Sequence, residues 1–336
     1  MNARREAGAE QPLPARVFAR LADGDFHSGE DLASSLGVTR SAVWKATRSL
    51  RKLGTELDAV RNRGYRLTHR GEPLDAGRIR AQLPRTVRDR LARLEAIWST
   101  GSTNTELLQR PFPREGTAEA LLAEYQTAGK GRRGRAWVAP PGGAICLSVS
   151  WTFPAVSQDL GALGLVIGVC ALRALRVLGL EGVGLKWPND LLHGGRKLGG
   201  ILIELRAEAS GPACVVIGLG LNVALGPHVL ERIAATGMEA TDLRQAGLAA
   251  ARDTVVAALL AALIEGLVEF EHSALKSFLA DWRDADVLRG RPVSISGAEG
   301  AAKGLARGID VHGALLVETP RGLLRFISGD VTVRPD

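Results

Sequence analysis

Between Gly129 and Arg135 the chain sets three glycines and four cations in seven residues, Gly129-Lys130-Gly131-Arg132-Arg133-Gly134-Arg135, directly after the apolar run Ala120 to Ala123. A core strand cannot bury that charge, and a helix interior does not tolerate that much glycine. A loop wrapped around an anion uses both: glycine lets backbone N–H groups approach, and Lys and Arg supply counter-charge. The chemistry expected is phosphate handling by a loop at the end of a strand, with a solvated basic loop as the plain alternative. The segment satisfies G-x-G-x-x-G, but a dinucleotide-binding loop must open a helix, and Pro140-Pro141-Gly142-Gly143 follows almost at once. No G-x-x-x-x-G-K-[ST] occurs, which excludes a P-loop.

Three further clusters could share that chemistry. Ser102, Thr103 and Asn104 follow a short strand, and Thr103 to Glu106 spells a capping box. These residues either cap a helix or offer neutral donors and acceptors to a polar, uncharged ligand head. Lys186 ends an apolar strand in Lys186-Trp187-Pro188-Asn189-Asp190. It can polarise a carboxylate or phosphate, or simply pair with Asp190. Gly218-Leu219-Gly220-Leu221-Asn222 ends another strand, where glycine permits close approach and Asn222 would be a fixed polar group in a site floor.

The elements that must position these groups follow from pattern. With 336 residues and 46% hydrophobic content, two or three domains with a sizeable core are expected. Cys146, Cys170 and Cys214 lie in separate apolar runs and read as buried thiols of a reducing cytosol, not as a metal set. No apolar stretch follows Arg4 and Arg5, so no signal peptide is expected, and Leu160 to Leu172 reads as a buried helix too short for a membrane span. A short strand is expected at Leu94–Trp98, and others at Ala144–Trp151 and Cys214–Gly218. A hairpin should run from Leu191 to Leu205, and long helices should cover 160–178 and 249–270.

Charge is uneven. Residues 1–70 hold 13 Lys and Arg against 8 Asp and Glu, whereas the remaining 266 hold 30 against 28. A basic head on a nearly neutral body points to nucleic-acid contact by the head. Residues 1–14 read as a disordered tail. Ser28 and Thr39 are N-cap residues for two helices joined through Gly37-Val38, and Arg61-Asn62-Arg63-Gly64 is the tip of a hairpin. This is a winged helix-turn-helix over 15–70. Arg40, Ser41, Lys45 and Arg48 are its candidate DNA-facing residues, and Arg61 and Arg63 its phosphate contacts; Trp44 reads as core, with a base contact the alternative. Residues 71–93 read as linker and helix, 94–286 as the domain carrying the chemistry, and 287–336, with period-2 apolar residues between frequent glycines, as a small barrel.

Four blocks together carry a resemblance: Glu124 to Trp137, Lys186-Trp187-Pro188-Asn189-Asp190, Lys197-Leu198-Gly199-Gly200-Ile201-Leu202-Ile203-Glu204, and Gly218 to Asn222. In order and spacing they resemble the signature blocks of biotin–protein ligases, and the head resembles that of the bifunctional bacterial members that repress biotin-synthesis genes. The resemblance implies an α+β multidomain fold: the winged helix, a central mixed β-sheet with helices of the class II synthetase-like ligase type, and an SH3-like C-terminal barrel. It implies ATP-dependent biotin–[acetyl-CoA-carboxylase] ligase activity, through biotinyl-5′-AMP, onto a lysine of a biotin carboxyl carrier protein. By the same resemblance Arg132 and Lys186 are catalytic, and Ser102, Thr103, Asn104, Gln126, Lys130, Gly131, Arg132 and Lys186 meet biotin. Arg132, Arg133, Arg135, Trp137, Asn189, Asn222 and Arg307 meet ATP, Trp137 by covering the adenine, with an Arg307–Asp310 ion pair as the alternative at that position. Mg²⁺ is expected with ATP, Asp190 being the candidate ligand. Operator DNA, a homodimer formed on binding biotinyl-5′-AMP, and a cytoplasmic, membrane-free location are also implied. The family's loop usually opens Gly-Arg-Gly; here the first cation is Lys130, which keeps the charge and loses the fork. A ligase that no longer represses, a biotin sensor without catalysis and a lipoate-type ligase are the alternatives.

Overall fold

The computed structural model describes residues 11–69, 71–155, 158–207, 212–297, 300–327 and 331–335. The head comprises α1 (Leu13–Arg20), α2 (Gly29–Leu36), α3 (Arg40–Lys52) and a hairpin of β1 (Leu57–Val60) and β2 (Gly64–Leu67). Both expected N-caps form: Ser28 Oγ accepts from the Asp31 N–H at 3.0 Å, and Thr39 Oγ1 from the Ala42 N–H at 3.2 Å. Gly37 takes φ 65° at the end of α2, the left-handed turn that glycine adopts without strain. Helix α1 begins at Leu13, inside the stretch expected to be tail, because Pro12 and Pro14 suit a helix start; the rest of that stretch, residues 1–10, lies outside the described residues. Val17, Phe18, Leu21, Leu32, Val43 and Leu50 close the head's core. Trp44 is not in it. It is 50% exposed, because the inward stripe of α3 runs through Val43, Ala46, Thr47 and Leu50 and leaves position 44 outside.

Residues 71–93 are more than a linker. Asp75 caps α4 (Ala76–Gln82), and Pro84 both ends that stretch and starts α5 (Arg85–Arg90). Ile79, Leu83 and Val87 are buried in the main core, so this stretch is continuous with the central domain. The first central strand, β3 (Leu91–Thr100), is correspondingly longer than expected.

The other central elements are α6 (Thr103–Leu108), β4 (Ala118–Gln126), β5 (Ala144–Phe153), α7 (Leu163–Val177), β6 (Val183–Lys186), β7 (Asp190–His193), β8 (Arg196–Ala207), β9 (Ala213–Asn222), α8 (Pro227–Ala234), α9 (Arg252–Ser273) and α10 (Leu279–Ala285). They form a seven-stranded mixed sheet, β3-β4-β5-β9-β8-β7-β6, in which only β3 and β4 pair in parallel. All ten residues of β5 are buried. Its alternation divides the sheet's faces: Ile145, Leu147, Val149 and Trp151 join the main core with α7 and α9, whereas Ala144 and Cys146 join Trp137 on the other side. The span Asp159–Val177 is, contrary to expectation, long and apolar enough to cross a membrane, with a mean hydropathy of 1.9. Eleven of the fifteen α7 residues are nonetheless buried in the core, as the sequence led us to expect.

The C-terminal strands β10 (Pro292–Gly297), β11 (Gly300–Ile309), β12 (Leu315–Thr319), β13 (Gly322–Phe326) and β14 (Val331–Pro335) form one antiparallel sheet, β13-β12-β11-β10-β14. Val293, Ile295, Ala306, Leu315 and Val317 join the central core. Trp187 Nε1 donates to the Gly313 carbonyl at 3.0 Å, so this domain braces the turn after Lys186. At the opposite end the head abuts the central domain: Phe18 meets Trp98 at 5.8 Å between ring centroids, and Trp98 meets Tyr125, beside Gln126, at 5.6 Å.

Candidate active site and DNA-facing surface

On the sheet face away from α7 and α9 lies a cavity of about 930 Å³, large enough for a dinucleotide-sized pair of ligands. Three sequence-distant segments meet there. The first is the start of α6. Its N-cap is Ser102, one residue before the expected Thr103, with Ser102 Oγ 3.5 Å from the Thr105 N–H. That shift leaves Thr103 to bind Gln126, whose Oε1 accepts from the Thr103 N–H at 2.8 Å and hydroxyl at 3.1 Å. Asn104 Nδ2 donates to Glu204 Oε2 at 2.8 Å, and Ser148 Oγ lies 2.7 Å from Thr103 Oγ1 and 2.6 Å from Asn104 Oδ1. Four of these side chains are buried, so the neutral wall is held rigid by its own hydrogen bonds. Ser148 and Glu204 have no assigned place in the sequence reading; the alternation of large apolar with small or polar residues along Ala144–Phe153 is the available signal for Ser148.

The second segment is the cationic loop. It closes as a narrow hairpin: the Trp137 N–H donates to the Gly129 carbonyl at 2.9 Å, and the Gly131 N–H to the Arg135 carbonyl at 2.6 Å. Arg132 to Gly134 make one 3₁₀ turn and no helix follows, which agrees with the rejection of a dinucleotide loop. Lys130 Nζ donates to Thr105 Oγ1 at 3.1 Å, holding its point charge at the mouth of the neutral wall. The Trp137 ring lies flat enough on β9 that a methyl group at Gly220 would stand 2.4 Å from it. Burial pushes the neighbouring Cys146 thiol up to about 12, so it lines the cavity as a neutral group.

The third segment is the β6–β7–β8 corner. Lys186 and Asp190 are backbone partners, but the Asp190 carboxylate pairs with Lys197 Nζ at 2.6 Å, not with Lys186. Asn189 Nδ2 donates to the Ile201 carbonyl at 2.7 Å, fixing the corner, and Asn222 Nδ2 donates to the Thr241 carbonyl at 2.9 Å, fixing the floor. Lys197 and Arg232 line the cavity and were missed. Lys197 stands inside the third of the four blocks, where pattern reads it only as a strand residue, and Arg232 carries no sequence signal. Among the described residues, seven cations (Lys130, Arg132, Arg133, Arg135, Lys186, Lys197 and Arg232) thus line the cavity against two carboxylates, Asp190 and Glu239.

All the expected biotin- and ATP-facing residues line this cavity except Arg307. Arg307 instead pairs with Glu318 across the C-terminal sheet, because Leu305 stands opposite Glu318 and the register shifts at the next residues; Asp310 is taken by Arg325 at 2.6 Å. Asp190 is poorly suited to hold a metal by itself, since Lys197 occupies its carboxylate. Among the described residues no three His, Cys, Asp or Glu side chains come together as a metal cage.

In the head, Arg40, Ser41, Lys45 and Arg48 are exposed on α3, and Arg61 and Arg63 are exposed at the hairpin tip. Arg63 and Arg66 stack on Phe26 at 4.2 and 4.5 Å from its ring centroid, which ties the wing to the connection between α1 and α2.

A rigid neutral wall beside a cationic hairpin, on a mixed sheet behind a helix-turn-helix head, defines a protein ligase of the acid-activating kind joined to a DNA-binding module. Family comparison agrees domain by domain: residues 97–222 match the Biotin/lipoate A/B protein ligase family, 17–66 an HTH domain, and 289–334 the Biotin protein ligase C terminal domain. The chain is 37% identical to the Bifunctional ligase/repressor BirA of Escherichia coli (strain K12), over 97% of this chain and 98% of that one. It is 32% identical to that of Bacillus subtilis (strain 168), over 92% and 94%. A solved biotin protein ligase from Aquifex aeolicus, in complex with biotin and ATP, superposes with a TM-score of 0.61 at 26% identity, over 73% of this chain and all of that one. The chain belongs to the bifunctional biotin ligase/repressor family.

Proposed function

We propose that this chain activates biotin with ATP, transfers it to a carrier lysine, and represses transcription through its head when loaded with the intermediate. The observation that carries the ligase reading is the excess of seven cations over two carboxylates around one cavity with a neutral wall. Biotin's carboxylate and the α-phosphate of ATP repel each other, so the first step needs a site that neutralises both while holding them in line. A carboxylate oxygen attacks the α-phosphorus, the bond to the β-phosphate oxygen breaks, and pyrophosphate leaves. The acceptor lysine, as free amine, then attacks the acyl carbon and AMP leaves. Arg132 and Lys186 would stand at the reacting carboxylate and phosphate, with Lys197 beside them. Ser102, Thr103, Asn104 and Gln126 would hold the uncharged ureido ring. Arg133, Arg135, Trp137, Asn189 and Asn222 would line the nucleotide half, and the hairpin at 129–135 would close over the adenylate and keep water out. Mg²⁺ would enter with the triphosphate, held chiefly by phosphate oxygens. The acceptor would be the carrier domain of acetyl-CoA carboxylase, and the cytoplasm the place of action.

Pyrophosphate release from biotin and ATP tests the first step; a biotin sensor without catalysis would release none. Two glycines separate the subsites. A methyl group at Gly218 would stand 2.5 Å from Asn104 Oδ1, and one at Gly220 would overlap the Trp137 ring. Overpacking of this kind costs about 1–3 kcal/mol, which is about 5- to 150-fold where it falls on ligand binding. Gly218→Ala is expected to raise the KM for biotin and spare that for ATP, and Gly220→Ala to do the reverse; equal effects on both substrates would show that the two halves are wrongly assigned.

For repression, the loaded chain is expected to bind a palindromic site as a homodimer, with salt-dependent affinity. Footprinting of biotin-gene promoters with and without biotin and ATP checks this, and absence of ligand-dependent protection would leave a ligase that no longer represses.

A further inference from the structure

Trp44, the exposed aromatic on α3, lies outside the described core of the head. Trp44 is 50% exposed, and its neighbours on the solvent face of the helix are Arg40, Lys45 and Arg48. Leaving half of an indole in water forgoes favourable burial that a polar residue would not need. The Arg48 guanidinium stands 5.3 Å from the ring centroid, a cation–π contact that keeps the ring in a set orientation instead of letting it fold back onto the helix. The surface complementary to that cationic stripe is a polyphosphate, and a recognition helix of this kind lies in the major groove. Within that groove nearly every base-edge group is a hydrogen-bond donor or acceptor, which Trp44 cannot satisfy through its ring face. The apolar exception is the C5-methyl of thymine.

We infer that Trp44 reads sequence by packing its ring on a thymine methyl in each half-site, while Arg40, Lys45 and Arg48 supply phosphate and polar base contacts around it. This rests on the DNA-binding reading of the head and narrows it: it assigns an apolar, methyl-dependent specificity contact to one residue.

The test uses the full-length chain with biotin and ATP. Duplexes are selected from a random pool by the wild-type protein, and each thymine of the enriched sequence is then replaced by deoxyuridine, which removes the methyl and nothing else. Burial of one such group predicts about fourfold weaker binding per methyl removed, at one thymine position in each half-site. Trp44→Ala should bind the thymine and deoxyuridine duplexes equally, and Trp44→Phe should keep part of the discrimination. Thermal unfolding of both variants, expected to be unchanged, guards against a folding defect, and if Trp44→Ala unfolds early Trp44→Gln takes its place with the same expected result. If no duplex is enriched, the DNA-binding reading of the head falls, and this inference with it. If duplexes are enriched but no thymine shows methyl dependence, or if Trp44→Ala retains that dependence, the head binds DNA and the inference is wrong.

Discussion

Lys186→Ala is expected to slow pyrophosphate release by about 10²–10³, the loss found when one preorganised donor is removed from a site of developing charge. The strand end holds the lysine in place: β6 pairs with β7, Trp187 is anchored on Gly313, and Asn189 ties the corner to Ile201. The ammonium therefore needs little reorganisation during reaction. Because the proposed contact strengthens as the carboxylate meets the phosphate, the loss should fall mainly on kcat, with the KM for biotin moving less. Lys197→Ala should be at least as damaging. It removes one cation and also leaves the Asp190 carboxylate, now bound at 2.6 Å, facing the incoming anions without its partner. Asp190→Asn combined with Lys197→Ala should restore part of that loss. If Lys186→Ala left pyrophosphate release within a few-fold of wild type, the lysine would have to be reassigned to a structural role.

The largest effect on stability is expected at Arg252, at the start of α9. Arg252 and Glu124 are both buried and face each other through two contacts, at 2.8 and 3.0 Å. Arg252 also donates to the Glu72 carbonyl at 2.7 Å, while Glu124 accepts from the Leu74 N–H at 2.6 Å and the Gly142 N–H at 3.3 Å. The pair thus joins the chain leaving the head, the strand that carries Gln126, and the Pro140–Gly143 loop. Removing one partner strands a buried charge, which costs about 3–5 kcal/mol, a large share of the roughly 5–15 kcal/mol that holds a typical domain. Arg252→Ala should lower the urea midpoint sharply. Arg252→Met with Glu124→Leu should recover much of the loss, since no unpaired charge remains, though four backbone groups (of Glu72, Leu74, Gly142 and Ala144) then lose a hydrogen bond to the pair. A double variant no better than the single one would mean that the backbone contacts, not the charge, dominate.

How far the sequence could be read depended on how local the determinant was. The head was legible because its signals are short: Ser28 and Thr39 cap the helices they precede, and Gly37 turns between them. The cationic loop was legible because its composition suits no regular element. Errors arose where a neighbour in sequence was not the neighbour in space. Trp44 read as core by residue type, although the helical phase set by Val43 and Leu50 turns it outward. Arg307 was placed at the nucleotide, with a pair to nearby Asp310 as the alternative, whereas the strand register brings Glu318 to it. Lys197 hid in a strand, because its partner Asp190 reaches it only through the pairing of β7 with β8. Ser102 displaced Thr103 as the cap by a single position, which freed Thr103 to hold Gln126.

The most direct test of the ligase reading is a single reaction: this chain, biotin, ATP, Mg²⁺ and an isolated biotin carboxyl carrier domain, followed by intact-protein mass measurement. The expected result is one biotinyl group added to one carrier lysine, with pyrophosphate and AMP released in equal amounts and no addition when ATP is omitted or when that lysine is replaced. An unmodified carrier with no pyrophosphate released would contradict the account.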